Sequence, residues 1–484
     1  MIRRFLPSLL FVLSLISEVS AKVTMGSLWG DGMVLQRNSE ILIGGTSDGV
    51  SVKITLSWSD KSYTSPVTKN QQWGIKIPTI GAGGPYTITI EDGDKLTIQN
   101  VMLGDVWLCM GQSNMSMPML GNMSQPVEGS ARYISQARED TPIRMYTMER
   151  SPSATPQVDA PGEWELNNSR AVANFSAVGY MFGYDLCSAL DVPIGLIDVS
   201  WGGSSIEAWM SREWLDGVKV CDFSQIDSGV VPKDPTKAAA CLYNGMVEPL
   251  GGLSVKGGIW YQGEANRFKP NEYLKLFPAF VTGLRKHLNC GEFPIYYVQI
   301  APYNYFDKKS QYSGVLMREV MSKLMDLTPR TGMVPITDLG EASNIHPRYK
   351  REVGARLSYW ALGDCYGREG IDYRAPEYDN MEVVESKFSK NPAISIQFRY
   401  AENGISFRGQ EPSKLFEIAG ADRVFYPAEV KLILNSDHPL LVWSDEVAAP
   451  VAVRYAFKNY VDGDLYNSAG VALSSFRTDD WAIE

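Results

Sequence analysis

Between residues 104 and 375 the apolar positions alternate between two periodicities. Short apolar runs, "DVWLCM" (105–110), "PIGLIDVSW" (193–201), "KGGIWYQG" (256–263), "IYYVQIA" (295–301) and "GMVPITDL" (332–339), have the length and composition of buried strands. Between them, 175–190, 272–287, 311–326 and 348–362 place apolar residues at helical spacing, as in "GVLMREVMSKLMDL". This alternation predicts an α/β fold: a parallel sheet covered on both faces by helices, three αβα layers in all.

The pattern changes on either side. Over 22–103, "EILIGGTS", "SVKITLSWSD", "WGIKIPTI" and "YTITIED" alternate with period two between Gly, Pro, Asp and Asn punctuation. They predict an N-terminal β-sandwich. "GAGG" at 81–84 reads as a turn, because no helix follows it. Over 376–484, "AISIQFRY", "GISFRG", "EVKLILNS" and "PVAVRYAF" predict a C-terminal β-rich region. The stretch 119–170 reads as a long loop and a candidate wall of any site nearby. Residues 1–21 join "MIRR", "FLPSLLFVLSLI" and "VSA", the layout of a signal peptide cleaved after Ala21. The expected location is therefore periplasmic or secreted, with no membrane-spanning segment in the mature chain.

The chain has 484 residues, 45 Lys and Arg against 55 Asp and Glu, and a formal charge of −10. With no basic block, nucleic acid has no electrostatic footing as a partner. The six cysteines, Cys109, Cys187, Cys221, Cys241, Cys290 and Cys365, show no metal spacing. Cys221 and Cys241 are the favoured disulfide pair and Cys109 a buried free thiol. Four Asn-x-Ser sequons begin at Asn114, Asn122, Asn167 and Asn174. The first adjoins the candidate nucleophile, which favours a bacterial periplasm over a glycosylating secretory route.

In an open parallel sheet, ligands bind beyond the carboxyl ends of the strands. The residues following each strand here are chemically useful: Ser113, then Gly202 and Gly203, then Gln262 and Glu264, then Asp338, Glu341 and His346. Ser113 is the candidate nucleophile and needs an adjacent base. Of three histidines, only His346 follows a sheet strand; His287 reads as a surface residue at a helix end and His438 lies in the late β-region. Glu264 is the first choice to orient the imidazole, with Asp338 and Glu341 as rivals. The backbone N–H groups of Ser113 and Gly203 and the amide of Gln262 are candidate oxyanion donors. Trp201, Trp209 and Trp260 gather at the same tips, either to face sugars or to fill the core.

"GDVWLCMGQSNM", "SWGGSSIEAWMS", "GIWYQGEANRF", "IHPRYKREVGARL" and "YNSAGVALSSFRTDDW" together resemble the sialate O-acetylesterase family within the SGNH (GDSL-like) hydrolases. The resemblance spans most of the chain. It implies an SGNH-like catalytic unit and a serine esterase that removes O-acetyl groups from sialic acids through an acetyl-serine, without metal or cofactor. By matching positions it implies Ser113 as nucleophile, His346 as base, Gly203 and Gln262 as oxyanion donors, and the glutamate of "QGE", Glu264, as triad acid. The family often reads Asp-Ile-His-Pro where this chain has Asn344-Ile345-His346-Pro347. That departure favours Glu264 or a Ser-His dyad. Two other readings stand beside it: an acetylesterase of xylan or another acetylated polysaccharide, and a glycan-binding protein without catalysis.

Overall fold

The computed structural model describes residues 22–159, 161–306, 311–433, 436 and 439–483. The expected signal peptide and His438 lie outside the described residues. Among the described residues no helix is long and apolar enough to cross a membrane.

The centre is one sheet in the order Gly162–Leu166, Ile143–Met148, Ile194–Ser200, Lys95–Gly111, Gly257–Tyr261, Ile295–Val298, Thr331–Val334. All neighbours are parallel except Gly162–Leu166, which runs antiparallel to Ile143–Met148 at the edge. The sheet is therefore mixed rather than wholly parallel. Gly162–Leu166 and its neighbour Ile143–Met148, at one end of the sheet, come from the stretch expected to be loop. Ile143–Met148 is short, and Arg144 breaks its apolar run. The structure buries Arg144 by giving its guanidinium the carbonyls of Thr141 and Ile143, since a buried polar group needs partners.

The Lys95–Gly111 strand explains the layering. Val106, Leu108 and Met110 enter one core with Tyr273, Phe277, Phe280 and Leu284 of the helix Pro270–Leu288 and Met317 and Met321 of Ser313–Ser322. Trp107 and Cys109, pointing the other way, enter a second core with Val178, Met181 and Phe182 of Ala177–Leu190 and Val353, Leu357 and Trp360 of Lys350–Trp360. A strand has period two, so a continuous apolar run serves both faces.

The same strand also runs back through residues 103 and 104 into the N-terminal strands, pairing antiparallel with Gly83–Glu91 and parallel with Val34–Gln36. Alternating burial in Ser51–Leu56 and Gln72–Pro78 packs two sheets around Ile41, Ile43, Ile54, Ile75, Ile77 and Ile88. Beyond residue 376, β-sheets including Glu377–Val384, Ala393–Arg399 and Phe416–Ala419 enclose a further core. That region is tied to the central unit by Arg318, whose buried guanidinium donates to the carbonyls of Lys458 and Asn459.

All six cysteines are free thiols, so Cys221 and Cys241 are not bridged. Cys109 is buried, as expected. His287 is half-buried, not a surface residue: it packs against Trp214 and Tyr243 and its Nε2 meets the carbonyls of Val247 and Glu248.

Candidate active site

The strand ending at Gly111 is pinned on both sides at its tip. The Gly111 carbonyl accepts from Trp201 N–H and the next residue, Gln112, donates its N–H to the Tyr261 carbonyl, each at 3.0 Å. Gly111 has φ +138°, and a Cβ there would stand 2.3 Å from the Tyr261 carbonyl oxygen, so only glycine fits. The chain then turns into the short helix Ser113–Ser116, leaving Ser113 half-exposed at the rim. Gly202, at the tip of the adjacent strand, packs on it: a Cβ there would lie 3.3 Å from Ser113 Cβ. The Gly203 N–H donates to no partner among the described residues.

His346 arrives from the far side of the sheet, 233 residues along the chain. Its Nε2 lies 2.8 Å from Ser113 Oγ. Its Nδ1 lies 3.0 Å from Gln125 Oε1. An amide oxygen accepts only, so Nδ1 carries the proton and Nε2 is left free to take the one on Ser113. The loop holds the histidine from behind: Asn344 Oδ1 accepts the His346 N–H at 3.0 Å, and Asn344 Nδ2 donates to Glu341 at 3.1 Å. Burial, reinforced by the positive charge of Lys350, pulls the His346 pKa from 6.5 down to about 4. The imidazole is neutral at physiological pH, the form a general base requires.

None of the three carboxylates weighed from sequence bonds to the imidazole. Glu264 is buried, and its Oε1 accepts from Asn114 Nδ2 at 2.8 Å; burial raises its pKa. Asp338 forms a two-pronged ion pair with Arg356. Glu341 is taken by Arg348 and by Asn344. Gln262 is also committed elsewhere. Its amide nitrogen donates to Asn266 Oδ1 (2.8 Å) and the Ser204 carbonyl (3.1 Å), and its oxygen accepts from the Tyr273 hydroxyl (2.7 Å). This buried amide supports the strand-tip loops, with both its amide hydrogens bonded within the protein. Of the tryptophans, Trp209 and Trp260 are core and only Trp201 is partly exposed at the rim.

Gln125, Asn114 and Lys350 are the residues that sequence reasoning missed. Gln125 sits in the loop stretch treated as a candidate wall, which was its only signal. Asn114 was noticed as a sequon, yet its side chain is wholly buried and hydrogen-bonded, so no sugar can be attached there in the folded protein. Among the described residues no group of three or more His, Cys, Asp or Glu side chains is placed to hold a metal ion.

Comparison with known proteins identifies the family. The family model "Carbohydrate esterase, sialic acid-specific acetylesterase" matches residues 103–360, more than half of the chain. The sialate O-acetylesterase of Rattus norvegicus is 29% identical over 482 residues, covering 85% of each chain. That of Homo sapiens is 28% identical over 473 residues, covering 88% of this chain and 86% of the human one. Among solved structures, a carbohydrate acetylesterase from Xanthomonas citri superposes with a TM-score of 0.84 at 32% identity, covering 95% of this chain and all of that one. The match takes in the N-terminal and C-terminal β-regions as well as the central unit, and the strand-tip serine and histidine fall within the matched residues; the chain belongs to the sialic acid-specific acetylesterase family of carbohydrate esterases.

Proposed function

We propose that this carbohydrate esterase cleaves O-acetyl esters of sialic acids, with Ser113 as nucleophile and His346 as general base, on an SGNH-type central unit. The observation that carries the reading is the 2.8 Å contact between Ser113 Oγ and His346 Nε2 at the carboxyl edge of the sheet. The leader-like sequence of residues 1–21 supports an activity outside the cytoplasm.

In the first half-reaction Ser113 Oγ attacks the acetyl carbonyl carbon while His346 Nε2 takes the hydroxyl proton. The carbonyl oxygen becomes an oxyanion, and the Ser113 and Gly203 N–H groups are the donors available beside it. Collapse breaks the bond to the sugar oxygen, and His346 returns its proton to that leaving oxygen. Water then attacks the acetyl-serine by the same steps in mirror order and releases acetate. Gln125 holds the imidazole in the working tautomer by accepting from Nδ1–H. An amide orients the ring as a carboxylate would, but brings no charge to offset the imidazolium.

Acetate release from O-acetylated sialic acid and from acetylated xylan, each with the wild type and Ser113→Ala, tests both parts. The reading expects preference for the sialate and loss of turnover in Ser113→Ala with an unchanged fold. Turnover retained by Ser113→Ala overturns the nucleophile; preference for xylan overturns the substrate.

A further inference from the structure

One buried side chain joins the two halves of the Ser113–His346 pair. Asn114, the residue after the serine, is fully buried. Its Nδ2 donates to the carbonyl of Ile345, the residue before His346, at 3.1 Å, and to Glu264 Oε1 at 2.8 Å. Its Oδ1 accepts from Lys350 Nζ at 2.5 Å. Both amide hydrogens and the carbonyl oxygen are therefore used, and the partners come from two segments at the sheet's carboxyl edge: Glu264 beyond Gly257–Tyr261, and Ile345 and Lys350 on the chain entering the helix Lys350–Trp360. Glu264 and Lys350 are themselves buried. Two buried ionisable side chains are a poor device for stability alone, since apolar side chains of similar size do as well or better. Here they flank the amide that links position 113 to position 346.

We propose that Asn114, gripped between Glu264 and Lys350, is a positioning clamp that fixes the approach of His346 to Ser113, and that Glu264 serves the reaction through Asn114 rather than through the imidazole. This rests on the reading of Ser113 and His346 as nucleophile and base. The clamp acts on geometry: it holds the Ile345 carbonyl, hence the His346 backbone, at a set distance from the helix that starts with Ser113. It also accounts for a strand-tip glutamate that stands in the position of a triad acid yet makes no bond to the ring.

The test separates a carboxylate needed for its charge from one needed for its reach. Glu264→Gln keeps the length and an acceptor oxygen for Asn114 Nδ2 without the charge; Glu264→Asp keeps the charge but withdraws it by one methylene. Assayed on p-nitrophenyl acetate, the clamp requires Gln to retain more kcat than Asp, with KM little changed in both. Asn114→Ala should lose about 100-fold in kcat, the cost of a displacement of roughly 1 Å between reacting groups. Melting temperatures establish that each variant is folded. If Asn114→Ala does not fold, the ordering of the Gln and Asp variants decides alone. Asp ahead of Gln, or full kcat in a folded Asn114→Ala, overturns the clamp. Ser113→Ala in the same series keeps the two levels apart: an inactive Ser113→Ala beside an active Asn114→Ala removes the clamp only, whereas an active Ser113→Ala removes the nucleophile on which it depends.

Discussion

The imidazole Nδ1 of His346 meets the amide oxygen of Gln125 at 3.0 Å, in the place where three-residue serine hydrolases put a carboxylate. The contact holds the ring and its tautomer but contributes no negative charge. Gln125→Ala removes the acceptor and frees the ring to turn, which should lower kcat by up to about 100-fold, the lower end of what a well-placed base contributes. Gln125→Glu puts a charge against Nδ1. A carboxylate at that distance should raise the imidazole pKa by about 1–3 units, and the acid limb of kcat/KM should move up by the same amount. An unmoved limb in a folded Gln125→Glu would show that the residue does not face the working base.

The wild-type profile follows from the same surroundings. His346 faces Ser113 and Gln125, feels the charge of Lys350, and has a pKa lowered to about 4. Only neutral imidazole accepts the serine proton, so activity should persist as pH falls through 6.5 and be lost through about 4. Stability follows the same sign. Between these values the unfolded chain binds a proton that the folded protein excludes, so this group's contribution to stability is lost as pH falls across that window. An acid limb near 6.5 in kcat/KM would contradict the burial of the base.

What could be read from sequence was whatever carries a periodicity. The apolar runs at 105–110, 193–201, 256–263 and 295–301 overlap observed strands because a strand buried on both faces is apolar throughout. Ile143–Met148 escaped notice because Arg144 reaches backbone carbonyls and so can be buried inside a strand. At the site, Ser113 and His346 were legible because each follows a strand. Glu264 was legible as an acid near the site but not in its contacts, since nothing in "QGE" says which way a buried carboxylate turns. Gln125 was not legible: it comes from a loop, and a neutral amide has no spacing or charge pattern to mark it.

Two adjacent glycines at one strand tip should respond differently to alanine. At Gly202 an added Cβ would stand 3.3 Å from Ser113 Cβ, tighter than ordinary contact. Gly202→Ala should push the nucleophile off line and lower kcat about 10- to 100-fold, as sub-ångström to 1 Å displacements do. At Gly203 an added Cβ meets nothing within 4 Å, but φ is +77°. Gly203→Ala should therefore cost about 1 kcal/mol of stability from the left-handed backbone. Alanine keeps the Gly203 N–H offered to the oxyanion, so kinetics and denaturation of the two variants, measured side by side, check the assignment; equal kinetic losses would mean that strain at Gly203 also displaces that donor.

Asp338 provides the complementary case, a strand-tip acid whose work is structural. Arg356 donates to its two oxygens at 2.8 and 2.6 Å, and the side chains are only 6% and 8% exposed. Arg356 also donates to the Pro335 carbonyl at 2.9 Å, so the pair anchors the chain leaving Thr331–Val334 to the helix Lys350–Trp360. Asp338→Asn leaves a guanidinium buried without its counter-charge, which should cost about 3–5 kcal/mol of folding free energy. The double variant Asp338→Asn with Arg356→Met removes both charges and should recover part of that loss. Because neither side chain bonds to Ser113 or His346, kcat per folded molecule should stay near the wild-type value in both variants. Denaturant midpoints together with active-site-titrated kcat make the comparison. A large fall in kcat with little change in stability would return Asp338 to the reaction and remove its anchoring role.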